Sequence, residues 1–265
     1  MKEFNPTATS YDPRNALWLG KAADLAYQDI ASVEQALQGW NVIPLADSVT
    51  DTSGFVAGNA EMIVISFRGT EAHKLKDWLT DLNAGHADGP IGKVHKGFYQ
   101  AISSIWLELS TALRDLRHND RTLWITGHSL GAALAVLASA KLLRENVVTS
   151  IDGLYTFGQP RTGDQDFAAW LDGVMQARMF RFVNNNDIVP HVPLPPLFKH
   201  AGSIHYFDSD GKLRTDEGFW QEIKDRLAGK VRSLFDDKLV PDEIADHFMA
   251  NYLARLTVNV GVQQL

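Results

Sequence analysis

Residues 123–138 read LWITGHSLGAALAVLA, and within them a serine stands between two glycines in the pattern Gly127-His128-Ser129-Leu130-Gly131. An apolar, β-branched run enters this pattern and a run of small and apolar residues leaves it, which predicts a buried strand, a sharp turn and a buried helix. So tight a turn has no room for a Cβ at Gly127, nor at Gly131, where the helix must cross close over the sheet. Ser129 is then held at the tip, its Oγ presented and its backbone strained. The Leu130 N–H opens the helix and points where an oxyanion would develop. These residues form a candidate nucleophile with half of an oxyanion site.

A serine hydroxyl is nearly inert at neutral pH until an imidazole takes its proton and a carboxylate fixes the imidazole tautomer. With an elbow of this kind, acid and base follow the serine in that order, from loops at the carboxyl edge of the sheet. The strand-like stretch 179–183 empties into Asn184-Asn185-Asn186-Asp187, which makes Asp187 the candidate acid. Asp164 competes, but it follows Gly163 at a helix start and reads as a helix cap. Of the four histidines beyond Asp187, His191 is too near to fold back, and His205 alternates with Ile204 and Tyr206 on a strand. His247, in PDEIADHFMANYL, is the favoured base and His200 the second candidate. The other oxyanion donor should come from Phe67-Arg68-Gly69-Thr70, where Thr70 offers its N–H and its hydroxyl. One such donor is worth about 3 kcal/mol of barrier. Arg68 is expected to be tied to a carboxylate, and His128 to pack beneath the serine as a hydrogen-bonded support at the edge of the substrate site.

The elements that must position these residues follow from periodicity. A helix is predicted over 13–28, with Asp12 as cap and Pro13 in first position, and a short one over 32–37. Strands are predicted over 40–46, 54–57 and 61–67; Gly58-Asn59 marks a hairpin turn, so the sheet begins antiparallel. Helical patterns follow over 74–82 and, after a Gly-rich loop, over 97–117. The strand, elbow and helix reaching residue 144 form one unit. Beyond it come a strand over 153–157, a helix over 164–175 and the strand 179–183, while prolines 190, 193, 195 and 196 mark a long loop. Alternation of this sort gives a mostly parallel central sheet with helices on both faces.

At 265 residues and 45% hydrophobic content, one α/β domain over 1–265 is expected. The net charge of −7 argues against a general affinity for nucleic acid. Without any cysteine there is no disulfide, no thiolate nucleophile and no Cys-ligated zinc. The first twenty residues carry Glu, Asn and Pro where a signal peptide has its apolar core, and no run of about 18 apolar residues predicts a membrane span. The expectation is a cytoplasmic chain by default, or one exported by a route that the sequence does not display.

Seven stretches, in order, carry a resemblance: FRGT at 67–70, KDWLTDLN at 76–83, VHKGFY at 94–99, GHSLGAALA at 127–135, YTFGQPRTGD at 155–164, VNNNDIVPHVP at 183–193 and DHFMANYL at 246–253. Together they resemble the class 3 lipases, the fungal triacylglycerol lipase family with its bacterial and plant relatives. The resemblance implies an α/β-hydrolase fold, with Ser129 as nucleophile, Asp187 as acid, His247 rather than His200 as base, and Thr70 with Leu130 as oxyanion donors. It implies hydrolysis of acylglycerol or other lipid esters without a metal or organic cofactor. Phospholipase A1 or feruloyl-type esterase activity is the alternative, and a non-catalytic lipid-binding relative the rival of another class.

The chain departs from the better-studied fungal members, which are secreted and disulfide-bonded. Their lid would fall here on 71–80, a short and heavily charged stretch, so strong interfacial activation is not expected. Leu75, Trp78, Leu79, His128 and Val189 are the candidate substrate-contacting residues. A helical stripe over 216–239, with Phe219 and Ile223 on its apolar side, is the candidate cap, touching acyl chains or making transient contact with a lipid interface.

Overall fold

The computed structural model describes residues 4–81, 85–117, 121–215, 218 and 244–262. Its centre is an eight-stranded sheet that begins with β1 (Asn41–Asp47), β2 (Thr52–Gly58) and β3 (Met62–Phe67), joined antiparallel. The order continues through β6 (Thr122–His128), β7 (Gly153–Phe157), β8 (Met179–Asn184) and β9 (Ser203–Phe207), each parallel to its neighbour, and ends on the antiparallel edge strand β10 (Leu213–Arg214). The antiparallel start and the parallel middle are those the turn and helix signals predict. Asn59 sets the reversal between β2 and β3, its side-chain oxygen accepting from the N–H groups of Glu61 and Met62 at 2.9 Å each.

Alternation along β3 shows why its sequence is apolar on both faces. Ile63, Ile65 and Phe67 join one core while Met62 and Val64 join the other, because successive side chains leave a strand on opposite faces. The first core is closed by α4 (Lys96–Ser104), α5 (Trp106–Leu116), α6 (Leu130–Arg144) and α7 (Gln165–Met175). The second lies under α1 (Pro13–Leu25) and the last helix, here α8 (Met249–Val262). Asp12 caps α1 by accepting from the Arg14 N–H, and Asp164 caps α7 by accepting from the Phe167 N–H at 2.9 Å. A short α2 (Ile30–Ala36) leads from α1 towards β1.

Two expectations are corrected. The pattern over 97–117 is two helices, because the backbone at Ile105 leaves helical geometry (φ −104°, ψ 8°) before Trp106 starts α5. Ile105 is fully buried in the first core, so packing has overridden a continuous helical period. The Gly-rich stretch before α4 also holds a small hairpin, β4 (His86–Asp88) with β5 (Lys93–His95). A remaining helix, α3 (Leu75–Asp81), occupies the candidate lid. The candidate cap at 216–239 lies, but for Gly218, outside the described residues.

Candidate active site

β6 delivers Ser129 at its carboxyl end and α6 departs from it. A Cβ on Gly127 would overlap the Gly131 backbone, and one on Gly131 would overlap the Phe67 carbonyl oxygen, so strand, turn and helix are in backbone contact. Ser129 is left with φ 60° and ψ −127°, a left-handed conformation that costs a non-glycine residue about 1–3 kcal/mol. Its N–H donates to the Phe157 carbonyl at 2.9 Å, and its Oγ is buried without a hydrogen-bond partner.

From the end of β8 the chain turns so that Asp187 is wholly buried. Its two oxygens lie 3.0 and 2.9 Å from His247 Nδ1, and the acid also accepts from the Val189 N–H at 2.9 Å and the Tyr252 hydroxyl at 2.6 Å. With Nδ1–H donated to a carboxylate, the other ring nitrogen of His247, Nε2, carries the lone pair; it is buried and unpartnered. Gly158, at φ +60°, makes room for the pair, since a Cβ there would stand 2.8 Å from His247 Cε1 and 2.9 Å from Asp187 Oδ2.

The loop bearing His247 is fastened to the loop bearing Asp187. Asn184 Nδ2 donates to the Asp246 carbonyl, while Asn185 Nδ2 and the Asn186 N–H donate to the Asp246 carboxylate. His128 adds a second fastening. Burial, with His247 beside it, pushes its pKa down to about 3, so its imidazole is neutral, with one donor and one acceptor. The His247 carbonyl can only accept; His128 Nε2–H therefore donates to it at 2.7 Å, and Nδ1 accepts from the Tyr27 hydroxyl at 2.7 Å. The rings of His128 and His247 lie 4.6 Å apart.

A cavity of about 180 Å³ adjoins the group, with Thr70, Leu75, His128 and His247 among its walls. Thr70 Oγ1 is buried and unpartnered. Leu130 stands at the first position of α6, where a helix has N–H groups without carbonyl partners of its own. Of the other candidates, Trp78 and Leu79 pack against the first core, Trp78 stacking on Phe98 at 6.2 Å, and Val189 is fully buried there. Arg68 is tied to Asp51 at 2.6 Å, and Lys74 joins the same carboxylate at 3.0 Å. His200, the second candidate base, donates its Nε2–H to the Pro190 carbonyl at 2.7 Å; burial holds its pKa well below the ordinary value.

The family model described as lipase (class 3) matches residues 64–196, half of the chain. The chain belongs to the class 3 lipases. It is 30% identical to triacylglycerol lipase OBL1 of Arabidopsis thaliana over 71% of this chain and 48% of that protein. To a lipase of Rhizomucor miehei it is 33% identical over 74% of this chain and 54% of that protein. The chain thus spans about half the length of the curated relatives it matches. Among solved structures, a triacylglycerol lipase with a serine protease triad as its catalytic centre aligns at a TM-score of 0.66 and 28% identity, over 78% of this chain and 84% of that one. The Rhizomucor miehei lipase propeptide complex aligns at 0.64 and 28%, over 79% and 75%.

The stretch matching the class 3 lipase model holds Thr70, Ser129 and Asp187 and stops short of His247. The fold carries His247 back to Asp187, and to the cavity that Thr70 lines, on the segment before α8. Reasoning from residues alone missed Tyr27, Gly158, Asp246 and Tyr252, which all brace the group. A tyrosine five residues after the candidate base was the one visible sign, and its direction depends on where α8 begins.

Proposed function

We propose that this chain is a serine carboxylester hydrolase of acylglycerol-type lipid esters. The observation that carries the reading is His247, with Nδ1 held by both oxygens of a buried carboxylate and Nε2 buried without a hydrogen-bond partner, as the Ser129 hydroxyl is. His128, by contrast, has both ring nitrogens hydrogen-bonded.

In this reading Ser129 Oγ attacks the ester carbonyl carbon while His247 Nε2 takes the hydroxyl proton. The carbonyl oxygen becomes an oxyanion facing the Leu130 and Thr70 N–H groups. When the tetrahedral intermediate collapses, the bond to the alcohol oxygen breaks, and His247 returns its proton to that oxygen. Water then attacks the acyl-serine, with His247 again accepting a proton and passing it to Ser129, which leaves as the free hydroxyl beside a fatty acid. Asp187 holds the imidazole in the tautomer both steps need and offsets its charge. Ser129 is fully buried, so substrate entry requires a covering element to move, and we assign that movement to 71–80.

The test pairs chemistry with labelling. The purified protein should hydrolyse p-nitrophenyl esters and triolein and should bind a fluorophosphonate covalently. Ser129→Ala should lower kcat by about 10⁵-fold and abolish labelling while keeping the wild-type melting temperature. A wild-type protein that neither turns over esters nor takes the phosphonate would end the reading.

A further inference from the structure

Asp24 occupies the last turn of α1, where the partial negative charge of a helix C-terminus disfavours an anion. Its carboxyl is half-buried, and burial raises its pKa above the ordinary carboxylate value. Among the described residues no cation and no hydrogen-bond donor meets it. Packing does not explain the residue either, because α1 makes its contacts with the second core through Ala16, Trp18, Leu19, Ala22 and Ala23. A carboxylate that is desolvated, unpaired and set at the wrong end of a helix is unfavourable on three counts, and it faces the cavity beside His247.

That cavity has a chemical direction. His247 must hand its proton to the departing alkoxide, so the space bordered by His247, Phe248 and Met249 lies on the leaving-group side. Leu75 and Ala250 add further apolar wall, and the Tyr27 hydroxyl donates to His128; with Thr70 given to the oxyanion, Asp24 is the charged group left to face the alcohol.

We infer that this cavity holds the alcohol part of the ester, and that Asp24 selects an alcohol with a further free hydroxyl, such as the glycerol of a partial acylglycerol, by accepting its hydrogen bond. The inference rests on the roles given above to Ser129 and His247. The carboxylate, an acceptor of two hydrogen bonds when ionised, suits a vicinal diol, and its bond to the ligand restores the solvation lost by burial.

The experiment compares two soluble esters that differ in the hydroxyls alone, 1-monobutyrylglycerol and propyl butyrate. The wild-type kcat/KM should favour the glyceryl ester by about tenfold, the scale of one hydrogen bond to a charged acceptor. Asp24→Asn and Asp24→Ser should each bring the ratio close to one, and either variant suffices if the other fails to fold. Equal rates on both esters in the wild type, or an unchanged ratio in both variants, would overturn the role of Asp24. Those outcomes, with phosphonate labelling of Ser129 intact, leave the hydrolase reading standing; a protein that hydrolyses neither ester and takes no label takes both readings down together.

Discussion

On one side of the site, Asp187 and His247 sit in a mesh of hydrogen bonds from Tyr252, Val189 and His128. On the other, Ser129 and Thr70 have unpartnered hydroxyls and are held where backbone meets backbone, with Gly127, Gly131 and Gly69 marking the contacts. The two halves solve different problems. An acid and a base must be oriented to within a bond angle, which directional donors and acceptors do well. A nucleophile must be presented without any bond that a substrate would have to break, so repulsion between close-packed atoms positions it. Adding a methyl group should therefore break the serine half, and removing a hydroxyl should loosen the histidine half.

Gly131→Ala should show the largest effect. The new Cβ would overlap the Phe67 carbonyl oxygen and stand 2.8 Å from the carbonyl carbons of Phe67 and Arg68, all backbone that cannot swing aside. Either α6 lifts or the end of β3 retreats, taking Gly69 and Thr70 with it. Overpacking of this kind costs about 3 kcal/mol, and losing one oxyanion donor lowers kcat about 100-fold. Chemical denaturation and ester kinetics would show both losses together, and wild-type values for both would mean that sterics do not hold this half.

Acid should reach the histidine half through His128, whose fastening of His247 depends on a neutral ring. The pKa of His128 is lowered to about 3 and that of His205 to about 4, mainly by burial, against 6.5 for a free imidazole. Below pH 6.5 the unfolded chain takes up protons that the folded chain refuses, so these groups leave stability unchanged above pH 6.5. They erode it as the pH falls towards the folded values, by about 1.4 kcal/mol per pH unit for each group. His205 belongs to neither half: its ring packs 4.5 Å from Tyr11 and 5.1 Å from Phe182. His205→Phe should reduce the stability lost between pH 7.5 and 4.5 by about 2 kcal/mol, with His128 and His200 still contributing to the loss. Denaturation at the two pH values measures this, and an unchanged loss would mean that His205 titrates normally in the fold.

The same contrast explains what could be read from the sequence. Features set by sterics, or by a bond spanning no more than one turn, are written in residue types: two glycines around Ser129, a hairpin at Gly58-Asn59, prolines at the long loop, Asp12 and Asp164 at helix starts. Apolar runs on both faces of β3 and β6 announced strands buried between helical layers. Hydrogen-bonded features were less legible, because a bond depends on direction and not on type. Tyr27 and Tyr252 look like ordinary core aromatics until α1 and α8 are packed side by side, and Asp246 like a solvated charge until Asn185 and Asn186 reach it. The break at Ile105 left no glycine or proline to reveal it, and β4 and β5 are three residues each, too short for a period of two to show. Trp78 and Leu79 were apolar residues on a charged helix, and only the fold decides that they face the core.

The finest test of the comparison is Tyr252→Phe. The hydroxyl donates to Asp187 Oδ2 at 2.6 Å and accepts from the Asn184 N–H at 3.0 Å, so it joins the candidate acid to the strand that delivers it. Burial, with Asp187 alongside, holds the phenol well above its ordinary pKa, and it therefore remains a donor at any working pH. Replacement by phenylalanine keeps the ring against Phe157 and removes one oxygen, leaving a buried N–H unmatched and the carboxylate short of one donor. A stability loss of about 1 kcal/mol is expected from the lost bonds. If the mesh serves only to hold the fold, kcat should stay at the wild-type value once the folded fraction is accounted for. If it aims the carboxylate at His247, kcat should fall about tenfold with KM unchanged, since the lost contact matters to the transition state and not to substrate binding. Steady-state kinetics on a fully folded sample separates these outcomes, and a kcat equal to wild type would reduce the hydrogen-bonded half of the site to a structural device.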